Sequence, residues 1–224
     1  GVLNTRMINN ALGADSWRWE LGDGRESLEL APLIYFPNVG EYDVELYIEN
    51  EEWGCKDSIT KRFVVHPVPE VLASADTLIC RGDSVTVYGK TFSDSVVWEW
   101  RLKKYVEFDT AQITIAFPDT TTYLKIYARD TNGCAGVDSV KITVQDTPRV
   151  EIFDDTTVVI GEIVVLNPRS RDRLHYSWIP PGVLSCDTCQ NPSYVAEGNQ
   201  VFYLIVRDIY GCFGNEYSFN INVQ

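Results

Sequence analysis

Tyr123-Leu124-Lys125-Ile126-Tyr127-Ala128, then Asp130-Thr131-Asn132-Gly133-Cys134, then Val140-Lys141-Ile142-Thr143-Val144 follow one another within residues 123–144. The first and last runs alternate apolar and polar side chains. A period of two puts alternate residues on opposite faces of a strand. The middle run is turn chemistry: Asp bonds nearby amides, and Gly accepts positive φ. Two alternating runs around such a turn predict a β-hairpin with one face in a core.

The passage recurs. Gly-Cys pairs stand at Gly54-Cys55, Gly133-Cys134 and Gly211-Cys212, with the cysteines 79 and 78 residues apart. Trp19, Trp100 and Trp178 follow at spacings of 81 and 78, and Tyr42, Tyr123 and Tyr203 open the alternating runs. Val65, Val144 and Val223, each 79 apart, close the copies. Ordered landmarks at one spacing mark tandem repeats. The expected domains are 1–67, 68–146 and 147–224. They are joined by His66-Pro67-Val68-Pro69-Glu70 and Gln145-Asp146-Thr147-Pro148, where proline stiffens an extended link. The first copy has fewer residues before its Trp, so it is expected to be truncated by one strand lying upstream of Gly1. Helical spacing is nearly absent, whereas Val85-Thr86-Val87-Tyr88, Ile113-Thr114-Ile115 and Phe219-Asn220-Ile221-Asn222-Val223 alternate. Short, dense strands enriched in Val, Ile, Thr and Tyr predict an all-β chain of three tandem immunoglobulin-like sandwiches, arranged as an elongated rod. The Trp landmarks are expected on central strands, and the Trp and Tyr landmarks alike in the core.

The chain has 224 residues, 45% of them hydrophobic and 12% aromatic, which excludes a disordered segment. Its net charge of −13 repels phosphate backbones and anionic lipid, so nucleic acid is not an expected partner. No apolar run approaches the ~18–20 residues of a spanning helix, so no direct membrane insertion is expected. The first residues carry no secretory leader pattern, which is uninformative about export if the chain is a fragment, as it is expected to be. With two His and one Met, little material for His catalysis or metal binding is available.

Copy one reads Trp17-Arg18-Trp19-Glu20-Leu21-Gly22-Asp23-Gly24, then Gly40-Glu41-Tyr42-Asp43-Val44. This resembles the polycystic-kidney-disease (PKD) domain pattern of Trp-Asp-Phe-Gly-Asp-Gly followed by Gly-x-Tyr-x-Val, with Glu20 and Leu21 departing from it. Copies two and three lack Gly-Asp-Gly. Their Ile79-Cys80-Arg81-Gly82-Asp83-Ser84-Val85, Cys186-Asp187-Thr188-Cys189-Gln190-Asn191-Pro192 and Asp208-Ile209-Tyr210-Gly211-Cys212 resemble Ig-like repeats of large surface adhesins exported by type IX secretion in gliding bacteria. That resemblance implies tandem arrays serving as stalks or adhesins, and no catalysis. Asp23 reads as a backbone cap of its turn; the alternative is a Ca2+ site, as some PKD domains have.

Six cysteines stand at turn positions of β-domains, which favours disulfides and an oxidising, extracellular or cell-surface location. Cys80 with Cys134 would close a loop of about 55 residues, worth ~4 kcal/mol in the chain-entropy model. Cys186-Asp187-Thr188-Cys189 lacks both a βαβ context and a second C-x-x-C, so a local disulfide is expected there. The partner of Cys55 would fall outside the chain. Val159 occupies the Cys80 position in copy three, which leaves Cys212 unpaired.

No G-x-S-x-G, P-loop or dinucleotide fingerprint occurs, so no catalytic residue, cofactor or metal is expected. His66 and His175 read as ordinary histidines. Trp53, beside Glu51 and Glu52, reads as a partly buried turn residue, with sugar stacking as the alternative. Of 17 Asp residues, 12 precede Ser or Thr. Eight of these continue with Ile, Leu, Val, Ala or Thr, at Ser58, Thr77, Ser84, Ser95, Thr110, Thr120, Ser139 and Thr156. The triplets resemble an O-glycosylation sequon of the same bacterial group; turn chemistry accounts for the dipeptide equally well. The expected role is a non-catalytic stalk or adhesin segment whose partners are neighbouring domains of the same polypeptide. The alternatives are an accessory module of a secreted enzyme that binds a glycan or protein surface, and a filament subunit.

Overall fold

A computed structural model describes residues 3–224. The first repeat contains β1 (Leu3–Arg6), β2 (Ser16–Glu20), β3 (Glu26–Ser27), β4 (Leu33–Phe36), β5 (Gly40–Asn50) and β6 (Cys55–Val65). The second contains β7 (Leu72–Ala73), β8 (Thr77–Cys80), β9 (Val85–Lys90), β10 (Val97–Trp100), β11 (Ile113–Ala116), β12 (Thr122–Arg129) and β13 (Ala135–Gln145). The third contains β14 (Thr156–Val158), β15 (Ile163–Val165), β16 (Leu174–Ile179), β17 (Ser193–Val195), β18 (Gln200–Asp208) and β19 (Tyr217–Val223). The fold is all-β. The one helical turn among the described residues is a 3-10 turn at Lys103–Tyr105, and no helix is long and apolar enough to cross a membrane.

Each repeat packs a four-stranded sheet against a smaller one, in orders β3-β2-β5-β6 over β1-β4, β10-β12-β13-β8 over β11-β9-β7, and β16-β18-β19-β14 over β15-β17. The opening passage is the β12–β13 hairpin, pairing Thr122 with Ile142 through to Arg129 with Ala135. Leu124, Ile126, Ala128, Val140 and Ile142 all face inward, as their alternation requires. Three separate clusters of buried residues form, one per repeat.

The tryptophans anchor these cores. Trp19, Trp100 and Trp178 lie opposite Leu46, Ile126 and Leu204 in equivalent register. Each indole N–H donates to a loop carbonyl 10 or 11 residues on: Glu29 at 3.1 Å, Ala111 at 2.9 Å and Cys189 at 2.9 Å. A buried indole needs that acceptor, because an unmade bond there costs about 1–3 kcal/mol. Only β2 is an inner strand; β10 and β16 are sheet edges, so the central-strand expectation is corrected for copies two and three.

The tyrosine expectation is corrected too. Tyr42 is buried and its hydroxyl donates to the Asn38 carbonyl at 2.9 Å, whereas Tyr123 and Tyr203 are exposed. Phe63 and Ile142 are equivalent positions, and they face Tyr42 and Thr122. Tyr123 therefore stands one residue further along than Tyr42, and a single step turns a strand residue to the other face.

The repeats differ at one edge. In the second, β8 runs parallel to β13, with Thr77 opposite Ile142 and Cys80 opposite Gln145. In the third, β14 runs parallel to β19, with Thr156 opposite Ile221. Among the described residues, β6 of the first repeat pairs only with β5.

Candidate functional site

The feature that joins the second repeat to the third is a disulfide between Cys80 and Cys212, with Cα atoms 5.4 Å apart and a sequence separation of 132. Cys80 ends β8 beside Gln145, at the end of the second repeat that leads into the linker. Cys212 lies in the turn between β18 and β19 of the third repeat and is fully buried. That turn is tied to the linker: a Cβ on Gly214 would sit 2.7 Å from the Pro148 carbonyl oxygen. Asp208 shapes it by accepting the amides of Tyr210 at 2.9 Å and Cys212 at 2.8 Å. Its second carboxylate oxygen, Oδ2, is buried without a partner. Around the bond, Arg81 donates to the Asp119 carbonyl at 2.7 Å and pairs with Asp146, so a cation and the linker carboxylate meet at the same end.

This corrects the expected Cys80–Cys134 pair, since Cys134 is a free thiol. Cys80 faces the last residue of β13 and Cys134 directly precedes its first. Eleven strand steps of ~3.3 Å put them about 36 Å apart, far beyond the ~4.4–6.8 Å that a disulfide spans. The same bond corrects the reading of Cys212 as unpaired. Cys55 is free and exposed.

The expected Cys186–Cys189 disulfide is also replaced by two free thiols. The loop that carries them is held by other bonds. The Trp178 amide donates to the Asp187 carbonyl at 2.9 Å, its indole to Cys189, and the Gly182 amide to the Asp187 carboxylate at 3.0 Å. The Cys189 amide donates to Cys186 Sγ at 3.0 Å. Hydrogen bonding with Cys189 lowers the Cys186 thiol below its ordinary range and raises that of Cys189.

The remaining candidates lie apart. Gly22 and Gly24 both adopt positive φ, and a Cβ at Gly22 would stand 2.7 Å from the Asp43 backbone, so glycine is required there. Between them Asp23 accepts the Arg25 amide at 3.1 Å and its guanidinium at 2.6 Å. The Arg25 side chain holds the Asp23 carboxyl below the usual carboxylate range. The sign follows: Asp23 adds stability above its unfolded pKa, and that stability is lost as pH falls through the lowered folded value. A proton titration of the Asp23 side-chain carbonyl by NMR should give a midpoint below 3.8, moving back towards it in Arg25→Ala. Because the pair is exposed, Asp23→Asn should cost less than about 1 kcal/mol.

Trp53 is 75% exposed, which corrects its expected partial burial. Its amide donates to Asn50 Oδ1 at 2.8 Å, which fixes the turn and leaves the indole in water. A nearby groove is lined by Trp17, Arg18, Tyr47, Glu49 and Lys56. Its cations are already engaged, Arg18 over the Tyr47 ring and with Glu20, Lys56 with Glu49 at 3.0 Å. His66 is in the first linker and His175 on the outer face of β16. Among the described residues, no group of three His, Cys, Asp or Glu could hold a metal. Of the Asp-Ser/Thr hydroxyls, Ser58, Ser84, Ser95, Thr110, Thr120 and Ser139 are on exposed residues, and Thr77 and Thr156 are half-buried. Asp57 and Asp138 accept the amides of Ser58 and Ser139 at 2.9 and 2.8 Å.

The sequence matches no protein-family model, and no curated protein matches it. Among solved structures, extracellular domains 3–5 of Drosophila OTK are similar, at 12% identity over 99% of this chain and 92% of that one, with a TM-score of 0.42. The three N-terminal domains of the bacteriophage RB49 highly immunogenic outer capsid protein (Hoc) are similar at 12% identity, over 100% and 93% of the two chains, with a TM-score of 0.44. Tandem Ig repeats of Dlar are similar at 14% identity, over 70% of this chain and 97% of that one, with a TM-score of 0.27. The all-β architecture of tandem Ig-like sandwiches rests on the strand pairing and on the separate buried clusters.

Proposed function

We propose that this chain is a non-catalytic stalk or adhesin segment of a long secreted surface protein, built from domains at 1–67, 68–146 and 147–224. The observation that carries the reading is the Cys80–Cys212 bond. A disulfide between adjacent repeats restricts bending at their junction, and a short proline-marked linker does the same. A segment that transmits force or holds a binding head away from a surface needs that stiffness. Disulfides persist in oxidising compartments, which supports an extracellular location. The negative charge keeps neighbouring rods apart and soluble. The PKD-like first copy and the adhesin-like later copies point to the type IX-secreted surface proteins of gliding bacteria as the parent class.

Small-angle scattering tests the rod. Longest strands of 9 to 11 residues make each sandwich roughly 30–35 Å long, so three end to end give a maximum dimension near ~100 Å. A compact particle would overturn the stalk reading. The six exposed Asp-Ser/Thr hydroxyls support O-glycosylation of the natural protein, where sugars would cover strand edges and block edge-to-edge pairing. Its intact mass should exceed the bare polypeptide by sugar increments. A mass equal to the polypeptide would leave only the local amide bonds of Asp57 and Asp138 to account for the triplets.

A further inference from the structure

Three observations converge on the junction between the first and second repeats. The first is the turn that bears Cys134. Asp130 Oδ1 accepts the amides of Asn132 at 2.9 Å and Cys134 at 2.8 Å, as Asp208 does for Tyr210 and Cys212. Arg129 donates to the Gly133 carbonyl as Arg207 does to that of Gly211. A Cβ on Gly136 would strike the Pro69 carbonyl oxygen, as one on Gly214 would crowd that of Pro148. Cys134 is thus placed against the first linker as Cys212 is placed against the second. Yet Cys212 is bonded and Cys134 is a free thiol.

The second is the edge of β6. Phe63, Val64 and Val65 occupy the positions of Ile142, Thr143 and Val144, along which β8 runs in parallel, and of Ile221, Asn222 and Val223, along which β14 runs. Among the described residues, nothing pairs with that side of β6.

The third is how those parallel strands are seated. Asp76 Oδ1 accepts the Lys141 amide at 2.8 Å, and Asp155 Oδ1 accepts the Asn220 amide at 2.7 Å. Each acid directly precedes its strand, in Asp76-Thr77-Leu78-Ile79-Cys80 and Asp155-Thr156-Thr157-Val158-Val159. Arg62 holds the corresponding position in β6.

We infer that the free edge of β6 is the seat of a parallel strand of the pattern Asp-Thr-x-(Ile/Val)-Cys, whose terminal cysteine forms a disulfide with Cys134. The strand's Thr would face Phe63, its β-branched residue Val65, and its cysteine His66, following the register of β8. The occupant is the stretch of the same polypeptide leading into β1, because β8 leads into β9 and β14 into β15, and β1 pairs with β4 as those strands pair with β11 and β17. A staple of the Cys80–Cys212 type would then close both junctions.

A peptide with the sequence of residues 74–81, prepared as its mixed disulfide with glutathione, tests the seat. In the exchange the Cys134 thiolate attacks the peptide sulfur. The new S–S bond forms, the peptide–glutathione bond breaks, and glutathione leaves as a thiolate that takes up the proton given up by Cys134. Docking raises the local concentration, so Cys134 should be labelled roughly tenfold or more in preference to the more exposed Cys55. A scrambled peptide with the same cysteine should lose that preference. Hydrogen exchange at Arg62 and Val64 should slow only with the true sequence. Labelling that follows exposure alone, equal labelling by the scrambled peptide, or a chain dimer through Cys134 would each overturn the inference.

Discussion

Trp100→Ala is expected to abolish or nearly abolish the cooperative unfolding transition of the second repeat. Trp100 is fully buried, and its indole holds the Ala111 carbonyl. Removing a buried Trp costs about 3–5 kcal/mol through lost burial and the cavity left behind. A unit of this size is stabilised by only about 4–12 kcal/mol. Trp100→Phe keeps most of the apolar volume and loses the N–H, so it should be clearly milder. Denaturant unfolding, followed by hydrogen exchange repeat by repeat, separates the units. A second repeat that stays fully protected in Trp100→Ala would contradict the account of its core.

The next largest effect is expected at the second junction. Cys212→Ala removes the bond while keeping a small apolar side chain in a buried site beside the unpaired Asp208 carboxylate oxygen. In the chain-entropy model, a closed loop of 132 residues is worth about 5 kcal/mol when everything inside it unfolds. Less is expected when one repeat opens while its neighbour stays folded. The variant, or the reduced protein, should lose about 2–5 kcal/mol from the unfolding of the second and third repeats. The first repeat lies outside the loop and should be unchanged. Loss confined to the first repeat, or none at all, would contradict the staple.

The fold was legible because its signals are local. The alternation of Val140, Ile142 and Val144, the Gly-Cys turns and the evenly spaced tryptophans each report on a few neighbouring residues, and tandem repetition multiplied them. What was not legible depended on distances between elements. Cys80 and Cys134 belong to one repeat, and only the parallel register of β8 on β13 shows that they occupy opposite ends of an 11-residue strand. A signal was present in the counts: three cysteines recur at hairpin turns and one precedes a β9-type strand, which fits pairing between repeats better than within them. Tyr123 misled through a one-residue offset, which spacing near 80 residues hides and a strand's two faces do not. Trp53 misled because a turn aromatic can lean either way, and the Asn50 bond to its amide settles the turn without burying the ring.

The most direct test of the stapled junction is a tryptic peptide map of the natural protein under non-reducing conditions. Cleavage after Arg62, Arg81 and Arg207 places Cys80 in residues 63–81 and Cys212 in residues 208–224. The account predicts that these two peptides run as one disulfide-linked species that separates on reduction. Cys80 found instead in a species with residues 130–141, which carry Cys134, would contradict it.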